Sequence, residues 1–539
     1  MGETIKKIMR FSLRTKIILM GLLIGLNIIL RYTMYPHEIG WDSFGVHTMA
    51  NSISEFGYAK WWLHPTSIYG AYPYSSSPSA VPFVLSGMSQ GTSMDMEKVI
   101  LLYSMILGIF SIFGAYLMAE ILWDNDIFKF LVTLVFSTSQ GIVTYSTWTA
   151  NARTLFVILL PLFIYLLLKA RTFKVRCGIL TVIILALFLV THHYIYFTIP
   201  IVISFLIVSI IYTLGKHIKT IKIPENVANF AIIAGFLVMF SIPFFTGTLA
   251  EVNPGGMAGG RYAWLFYMTE SYTRYIGIFI VFVVSGYIYL TFKCNKRFEE
   301  WFLLLCLAAL AQFLYIITYM KWFIIPFVSL FIGIALTNVA IIKTHRQKRK
   351  IIASLIVVVV LLFSVCFTGY YQYLHFLNDQ NPNKRWMEER TYVGALWMKD
   401  TIDKDKKVIA ETYVSGRLFA ISEVPTLTGI GAADLAYGFV DPNKLEVKQI
   451  HSYTSAEYYM QDPYKVVNHS FTDWQVSHIL NSDINDRMSW AYRLTSWSNL
   501  SYYAENKDTG GKLSQSVQQT KDCLYDNGKI CIWELDNTR

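Results

Sequence analysis

The sequence predicts a polytopic α-helical membrane protein that carries a polar α/β domain at its C-terminal end. Three observations lead to this prediction: 54% of the 539 residues are hydrophobic, only 15% are charged, and the mean hydropathy is +0.41. A soluble globular protein has roughly 25% charged residues. The formal net charge of +10 does not indicate a nucleic-acid partner, because the basic residues fall in short loops between apolar runs.

Apolar runs of about 17–25 residues are long enough to cross a bilayer as helices. Eleven such runs occur, and they predict eleven membrane spans. No small-residue cleavage site follows the first run, which predicts a retained signal anchor rather than a removed signal peptide. The predicted spans lie near residues 15–35, 98–122, 127–146, 154–170, 177–194, 195–214, 227–246, 273–292, 300–318, 321–342 and 351–371.

Basic residues mark one side of this eleven-span arrangement. They crowd the N-terminus and alternate loops, among them KTHRQKRK at 343–350, and the very short loop WDND at 123–126 is the exception. The positive-inside rule assigns this side to the cytoplasm. We therefore expect a multi-pass cell-membrane protein with a cytoplasmic N-terminus, whose residues 372–539 and first outer loop lie outside.

The chain then divides into a membrane domain, residues 1–371, and an extracytoplasmic domain, residues 372–539. The first outer loop, residues 36–97, is too long and too aromatic to be a simple connector, and long ordered loops are usually functional. Apolar residues from Ser43 recur at helical spacing up to Gly57, which predicts an amphipathic helix lying along the outer surface. The stretch after it, HPTSIYGAYPYSSSPSAVP, predicts an ordered loop.

The extracytoplasmic domain has an α/β pattern in its first half. RTYVGALWMKDTI predicts a helix and KKVIAET a strand, while CLYDNGKIC near the end predicts a hairpin around Asn527 and Gly528. A loop over residues 526–528 lets Cys523 and Cys531 face each other. In an oxidising compartment we expect these two cysteines to form a disulfide.

Ionisable residues are almost absent from the centres of the predicted spans and crowd their outer ends. An ion-coupled transporter would bury such groups near the midplane, so the pattern favours a reaction site at the outer membrane–water boundary. The sequence has no metal-ligand spacing, P-loop or nucleophile elbow. The crowded groups are Glu38, Asp42, His64, Arg153, His192, His193, Glu251, Arg261, Glu270, Arg274 and Lys321.

Two acidic residues of the first outer loop are candidates for acid–base chemistry. Glu38 and Asp42 are four apart and share a face if the segment is helical. Flanked by Trp41 and Phe44, the Asp42 carboxylate is expected to be partly desolvated, which favours a general-base role. The alternative is an N-cap or a solvated carboxylate at the end of a span.

The stretch GWDSFGVHTMANSISEFGY resembles the first outer loop of the GT-C glycosyltransferases, polytopic enzymes that use lipid-phosphate-linked sugars. In that family an Asp near the start of the loop precedes a helix along the membrane and a Gly. YSSSPSAVPFVLSGMSQGTSM is similar to the family's approach to the second span, ALWMKDTIDKDKKVIAE to the opening of its extracytoplasmic domain, and LYDNGKICIWEL to its closing hairpin. The resemblance implies a GT-C fold and a catalytic role for Asp42. Glu38 is expected to be a helper only, because the partner acids that a metal site needs are missing.

Two departures from the family bear on the donor. AETYVSGRLFAIS lacks the WWDYG-type motif of members that transfer oligosaccharides to protein, and the second outer loop, YSTWTANAR, lacks their acidic pair. A hard cation requires several oxygen ligands, so we expect no metal cofactor, with a divalent ion as the open alternative. A monosaccharide transferase that uses a polyprenyl- or dolichyl-phosphate sugar is a better match than an oligosaccharyltransferase.

Such a donor needs cations for its phosphate at the outer interface. Lys321, in YMKWFIIPFVSLFIG, is similar to the family's basic residue before a Pro-containing helix, and Arg153 and Arg274 open two other spans. Snorkelling at a span end is the alternative for each of the three.

Four further residues are weaker candidates for the same site. His192, His193 and His64 either bind hydroxyls of the donor or acceptor or simply end helices. The loop EVNPGGMAGGRYAW, residues 251–264, carries four glycines and predicts either a mobile lid or a flexible linker. Glu251 within it is a second carboxylate candidate.

These residues, taken with the resemblance, predict an inverting glycosyltransferase that moves a sugar from a lipid phosphate to an acceptor hydroxyl on the outer face of the membrane. The expected partners are a polyprenyl- or dolichyl-phosphate sugar, a glycan-lipid or protein acceptor, and membrane lipids. One alternative is an oligosaccharyltransferase-like enzyme with a lipid-pyrophosphate donor. The other is a non-catalytic polytopic transporter of lipid or polysaccharide, or an assembly subunit.

Overall fold

The chain divides into two compact units in the computed structural model. The first unit is Met1–Tyr32, Ser104–Thr147 and Ala152–Leu374, and the second is Thr33–Tyr103, Trp148–Asn151 and His375–Arg539. The first outer loop therefore groups with the C-terminal part of the chain. The structure describes residues 10–32, 35–57, 80–172, 175–217, 224–246, 260–317, 319–340, 347–378, 386–410, 412–428, 458–459, 468–469, 500–508 and 521–535.

Helices dominate the described residues, and the strands lie in the C-terminal part. The helices are α1 Leu13–Arg31, α2 Trp41–Phe56, α3 Ala80–Thr92, α4 Met96–Leu122, α5 Asp126–Thr138, α6 Gln140–Thr144, α7 Ala152–Ala170, α8 Val175–Thr191, α9 Thr198–His217, α10 Glu225–Phe245, α11 Gly260–Ile276, α12 Ile280–Phe292, α13 Phe298–Leu310, α14 Met320–Phe323, α15 Ile325–Ala340, α16 Gln347–Asn378, α17 Glu389–Thr401 and α18 Thr412–Ser422. The strands are β1 Lys407–Ala410, β2 Thr426–Thr428, β3 Tyr458–Tyr459, β4 Asn468–His469, β5 Leu500–Asn506, β6 Cys523–Asp526 and β7 Ile530–Glu534.

The first unit is built from apolar helices. A helix satisfies all its backbone hydrogen bonds within one segment, which is why a single apolar run inside lipid adopts it. Six described helices are long and apolar enough to cross a membrane, and the bent pair Ala263–Ile276 and Ile280–Phe292 makes seven if it counts as one span. The protein is thus a helical membrane protein, and the count of eleven spans stays a prediction. The six are Leu13–Arg31, Met96–Leu122, Ala152–Ala170, His193–Leu214, Glu225–Phe245 and Ser354–Tyr371.

Several of the predicted spans are interrupted, and the sequence explains the breaks in two of them. The span at 273–292 breaks at Gly277, whose φ of +76° strains any residue with a side chain, and the flanking helices bend by 89°. The span at 321–342 divides into α14 and α15. Pro326 has no N–H to donate to the preceding turn, so it is tolerated only in the first turn of α15. Lys321 consequently lies on a short helix of its own.

The second unit contains a five-stranded mixed sheet in the order β2-β1-β5-β7-β6. Strand β1 is parallel to β2 and β5, whereas β7 is antiparallel to β5 and β6. Helix α18 connects β1 to β2, which is the crossover that a parallel pair requires. The helix predicted from RTYVGALWMKDTI, the strand from KKVIAET and the hairpin from CLYDNGKIC are confirmed as α17, β1 and β6–β7.

Helix α2 confirms the helix predicted in the first outer loop, and it ends at Gly57 with φ +76°. The expectation that it lies along an outer surface stays a prediction. Its apolar face packs on α3 and α18, and Phe44 enters the core of the sheet-containing unit. The loop predicted over residues 64–82 lies mostly outside the described residues, and its last three residues begin α3, which the sequence pattern did not predict.

Gly286 in α12 gives a test of helix packing in the first unit. A Cβ at this position would overlap the carbonyl oxygen of Phe331 in α15. We expect Gly286→Ala to lower the midpoint of thermal unfolding in detergent by several degrees, because overpacking outweighs the helix propensity gain of about 1 kcal/mol. Gly235→Ala in α10 is the matched control, since nothing lies within 4 Å of its added Cβ. Equal midpoints for the two variants would contradict this packing.

Candidate functional site

Lys321 is buried among aromatic rings of the first unit, with 4% of the residue exposed. Its Nζ lies 4.7 Å from the ring centroid of Trp322, 5.2 Å from that of Tyr275 and 5.4 Å from that of Tyr267. Aromatic faces stabilise a buried cation. Lys321 is therefore enclosed by rings, whereas a snorkelling lysine would extend to an interface.

Arg153 lies in the first turn of α7 and shares one of these rings with Lys321. Its Cζ is 5.7 Å from the centroid of Trp322 and 5.1 Å from that of Tyr319. A small cleft is lined in part by Arg153, Trp322 and Tyr145. Two of the three predicted cations thus contact the same indole ring, that of Trp322, beside this cleft.

Arg274, the third predicted cation, lies near the end of α11. Its Cζ is 5.5 Å from the ring centroid of Tyr275 and 6.0 Å from that of Tyr371. The hydroxyls of Tyr275 and Tyr145 are hydrogen-bonded at 2.9 Å, and Tyr145 makes an edge contact with Trp322 at 4.8 Å between centroids. The structure therefore brings all three cations onto one set of rings. We call this set the cationic–aromatic cluster: Lys321, Arg153, Arg274, Tyr145, Tyr275, Tyr319 and Trp322.

The cationic–aromatic cluster has the chemistry of a phosphate site. Arginine offers a planar fork of donors that matches two phosphate oxygens, and lysine offers a compact point charge. Aromatic walls lower the local dielectric constant, which strengthens each charge-assisted hydrogen bond relative to water. An anion that enters the cleft would meet positive charge and donors together.

The two histidines predicted near this site have different surroundings. His192 Nδ1 accepts a hydrogen bond from the Tyr194 backbone N–H at 3.2 Å, and so caps the short 3-10 helix His193–Phe197. His193 is exposed, and its ring centroid lies 6.4 Å from that of Tyr319. The helix-end alternative thus describes His192, whereas His193 lies at the edge of the cationic–aromatic cluster.

Arg31 was not singled out from the sequence, although an arginine inside an apolar span is a signal of a functional site. It is fully buried at the end of α1. Its Nε donates to Ser146 Oγ at 3.0 Å and its Nη1 to Asn27 Oδ1 at 2.7 Å, while Nη2 has no partner. In the described part of the chain no carboxylate lies within 4.0 Å of the guanidinium. Ser146 is the next residue after Tyr145. The hydrogen bond from Arg31 to Ser146 therefore helps to hold the chain that carries the Tyr145 side chain of the cluster.

Asp42 lies in the second unit, in the first turn of α2, and is exposed. The expected partial desolvation is therefore wrong for the described residues. The helix explains the difference, because successive side chains are turned by about 100° around its axis. Ser43 and Phe44 face the interior of the unit and are buried, which leaves Asp42 on the open side. An exposed carboxylate is accessible to an acceptor.

Residues of the second outer loop hold the start of α2. Gly40 precedes the helix with φ +107°, and a Cβ there would lie 2.9 Å from Thr149 Oγ1. Ser43 Oγ accepts a hydrogen bond from the Ala150 backbone N–H at 2.5 Å, and the Ile39 N–H donates to the Trp148 carbonyl at 3.0 Å. The backbone on both sides of Asp42 is thus fixed by residues 148–150.

Glu38 has the opposite environment to Asp42, because none of its surface is exposed. Its Oε2 lies 2.6 Å from His47 Nδ1, and its Oε1 has no hydrogen-bond partner. The predicted common helical face with Asp42 is wrong, since α2 begins at Trp41, after Gly40. Glu38 is thus an internal carboxylate paired with a histidine.

The described part of the chain contains one possible metal site, and it includes neither Asp42 nor Glu38. It is the group Cys523, Asp526 and Cys531, whose ligand atoms lie within 4.8 Å of one another. The sulfurs of the two cysteines lie 2.7 Å apart. The expectation that the protein needs no metal cofactor stays a prediction.

The hairpin register differs from the one the sequence predicted. Asp526 pairs with Cys531 and Cys523 pairs with Trp533, with an irregularity at residues 523–525. The two cysteines are therefore offset along the ladder rather than directly opposite. The disulfide between them stays a prediction.

Two predicted site residues, His64 and Glu251, lie outside the described residues. The predicted lid over residues 251–264 also lies there up to residue 259, and from Gly260 onward it belongs to α11. The roles of these residues stay predictions.

Comparison with solved structures shows what the chain is similar to. The oligosaccharyltransferase of Archaeoglobus fulgidus, in the apo form, matches with a TM-score of 0.60 and 12% identity, over 92% of this chain and 70% of the other. The archaeal oligosaccharyltransferase AglB from the same organism, in complex with an inhibitory peptide and a dolichol-phosphate, matches with a TM-score of 0.59 and the same identity and coverage. ArnT from Cupriavidus metallidurans bound to undecaprenyl phosphate matches with a TM-score of 0.54 and 9% identity, over 98% of this chain and 99% of the other. Neither a scan of protein-family models nor a search of curated proteins finds a match.

The chain therefore has the fold of the GT-C glycosyltransferases, and the resemblance found in the sequence is confirmed at the level of the fold. The identities of 9% and 12% mean that the likeness lies in the arrangement of elements, not in a shared set of side chains. The roles of individual residues in this chain must be argued from their own surroundings.

Arg31 and Lys129 give a test of what a buried cation does in this fold. We expect Arg31→Met to leave the midpoint of thermal unfolding unchanged or to raise it, because the substitution removes a buried charge that has no acidic partner among the described residues. Lys129→Met is the matched control. Its Nζ pairs with Asp124 at 2.7 Å and with Asp126 at 3.4 Å, so its loss should lower the midpoint. A marked fall for Arg31→Met would show that the guanidinium is chiefly a stabilising element.

Proposed function

We propose that the protein is a membrane glycosyltransferase that transfers a sugar from a polyprenyl-phosphate-linked donor to an acceptor hydroxyl on the outer face of the membrane. The observation that carries this proposal is the convergence of Lys321, Arg153 and Arg274 on shared aromatic rings beside a cleft. Cations held in this way are suited to a phosphate that is attached to an apolar chain.

The GT-C fold supports the proposed donor class. Two of the similar structures hold a lipid phosphate: dolichol-phosphate in AglB and undecaprenyl phosphate in ArnT. Apolar helices would accept the polyprenyl tail, while the cationic–aromatic cluster would bind the phosphate at its end. A lipid phosphate of this kind is a leaving group whose charge grows during the reaction, so cations at that position lower the barrier.

In the proposed reaction the acceptor oxygen bonds to the anomeric carbon, and the bond from that carbon to the phosphate oxygen breaks. The lipid phosphate leaves with the bonding electrons, and the acceptor proton passes to the carboxylate of Asp42. This displacement inverts the anomeric centre. Asp42 is the proposed general base because its carboxylate is exposed. Glu38 has no exposed surface, so its proposed role is to hold neighbouring residues in position.

An oligosaccharyltransferase-like enzyme with a lipid-pyrophosphate donor is the second candidate, since the structure of such an enzyme matches with a TM-score of 0.60. The sequence favours the first candidate, because the second outer loop, YSTWTANAR, lacks the acidic pair of the family members that transfer oligosaccharides to protein. A chelator should inhibit an enzyme of the second kind and leave one of the first kind active, and the assay below includes this comparison.

Asp42→Asn tests the proposed base. With a polyprenyl-phosphate sugar as donor and activity followed in detergent or liposomes, we expect the variant to lose at least about 100-fold in kcat, because general-base catalysis contributes 10²–10⁴-fold. Glu55→Gln is the control, since Glu55 is an exposed carboxylate on the same helix. Turnover retained by Asp42→Asn at equal expression would remove Asp42 from the mechanism. Loss of wild-type activity in a chelator would favour the second candidate.

Lys321→Met tests the proposed phosphate site. We expect KM for the donor to rise about 10- to 100-fold, because a hydrogen bond to a charged group contributes roughly 1.5–3 kcal/mol. KM for the acceptor should change little. Lys98→Met is the control, since Lys98 is an exposed lysine paired with Asp95 at 3.0 Å. Equal changes in both KM values would argue for general damage rather than for lost phosphate binding.

A further inference from the structure

His37 has a carboxylate on each of its two ring nitrogens. Nδ1 lies 3.0 Å from Glu97 Oε1, and Nε2 lies 3.0 Å from Glu389 Oε2. A neutral imidazole has one N–H donor and one acceptor, whereas an ionised carboxylate only accepts. Both hydrogen bonds can form together only when both nitrogens carry protons. The geometry therefore describes an imidazolium held between two carboxylates.

The charged groups around His37 favour this state. Burial of the ring works against the charge, but hydrogen bonds and attraction from Glu97 and then Glu389 outweigh it and raise the pKa of His37 above its usual value. The ring also stacks on Tyr392 at 4.0 Å between centroids. Other ionisable groups lie close to this arrangement in the chain or in space. They are the Glu38–His47 pair, Asp95 and Lys98 beside Glu97, and Glu388, Arg390 and Lys529 beside Glu389.

The same carboxylate that holds His37 also holds the chain that leads to Asp42. Glu97 Oε1 accepts a second hydrogen bond, from the Glu38 backbone N–H at 3.0 Å. The Met387 N–H donates to the Glu38 carbonyl at 3.3 Å, and Ile39 forms a β-bridge with Trp386. The segment 37–39 is thus clamped between the first turn of α4 and the chain that enters α17. Gly40 and Asp42 follow directly.

We propose that His37, as an imidazolium, is a positioning residue for Asp42: by joining Glu97 to Glu389 it fixes the backbone of residues 37–40, and hence the start of α2. The role in catalysis rests on the proposed function of Asp42, whereas the clamp itself does not. His37 touches no substrate in this proposal. It sets the geometry from which the Asp42 carboxylate meets an acceptor hydroxyl, and small displacements of a reacting group reduce the rate strongly.

The pH dependence of the clamp has a definite sign. A histidine whose pKa is raised by folding contributes its full stabilisation below its unfolded pKa, which is about 6.5, and that contribution is lost as the pH rises through the folded pKa. The clamp is therefore closed below the unfolded pKa and loosens as the pH rises through the higher folded pKa of His37. Removal of Glu389, one of the two groups that raise the pKa, should shift this loosening to lower pH.

Hydrogen–deuterium exchange in the full-length protein tests the clamp without an activity assay. The protection factor, corrected for the intrinsic pH dependence of exchange, is measured for the amides of Glu38 and Ile39 between pH 5.5 and 9, with Ile409 in β1 as an internal control. In the wild type we expect protection at Glu38 and Ile39 to fall about tenfold as His37 loses its proton, the scale of one charge-assisted hydrogen bond. In Glu389→Gln the fall should occur at lower pH, and in His37→Gln protection should be low at every pH.

Two variants keep this test independent of gross misfolding. Glu389 has 69% of its side chain exposed, so Glu389→Gln should fold even if His37→Gln does not. Glu423→Gln is the matched control, because Glu423 pairs with Lys399 and Lys404 elsewhere in the same unit. Protection at Glu38 and Ile39 that is independent of pH in the wild type would overturn the clamp, as would an equal shift in Glu423→Gln.

An activity assay then distinguishes a role of His37 in positioning Asp42 for catalysis from a purely structural role. At a pH where His37 is charged, we expect His37→Gln to lower kcat about tenfold with KM for the donor unchanged, because the cationic–aromatic cluster is intact. A clamp that opens in the exchange experiment without any change in kcat would overturn the positioning role. If instead the exchange results hold while Asp42→Asn keeps its activity, the clamp stands and the proposed base is wrong.

Discussion

The carboxylate of Glu97 is the constraint on which the surroundings of Asp42 depend. One of its oxygens accepts hydrogen bonds from His37 Nδ1 and from the Glu38 backbone N–H, both at 3.0 Å. Glu97 lies in the first turn of α4, and the 27 residues of that helix span about 40 Å, roughly 10 Å more than the hydrocarbon core of a bilayer. The helix can therefore carry a polar first turn beyond the apolar region. The segment 37–39 is tied to that turn by both hydrogen bonds.

The cationic–aromatic cluster holds three positive charges in an apolar unit. Aromatic rings stabilise each cation through the quadrupole of the ring. Trp322 contacts Lys321 and Arg153, and Tyr275 contacts Lys321 and Arg274. The shared rings therefore also fix the spacing of the three cations.

Much of the fold was predictable, because composition and short local patterns determine it. Apolar runs predict membrane helices whatever their neighbours, although the break that isolates Lys321 falls within a run predicted as one span, 321–342. The GT-C fold followed from the stretch around Asp42. The contacts that organise the site were not predictable, because they join residues far apart in the chain. His37 and Glu389 are separated by 352 positions, and no local pattern connects them. Arg31 did carry a local signal, an arginine in an apolar run, but its partner Ser146 emerges only from the packing of α1 on the chain after α6.

The different burial of Glu38 and Asp42 explains why two acidic residues four positions apart serve different ends. A general base must contact the proton it removes, and a carboxylate with no exposed surface has no access to an acceptor. Glu38, paired with His47 and fixed through its backbone to Glu97 and Met387, is therefore part of the support. Gly40 separates the two residues with a backbone conformation that turns the chain into α2. The turn buries Glu38 and exposes Asp42, and this difference is the reason that Asp42, rather than Glu38, is the proposed base.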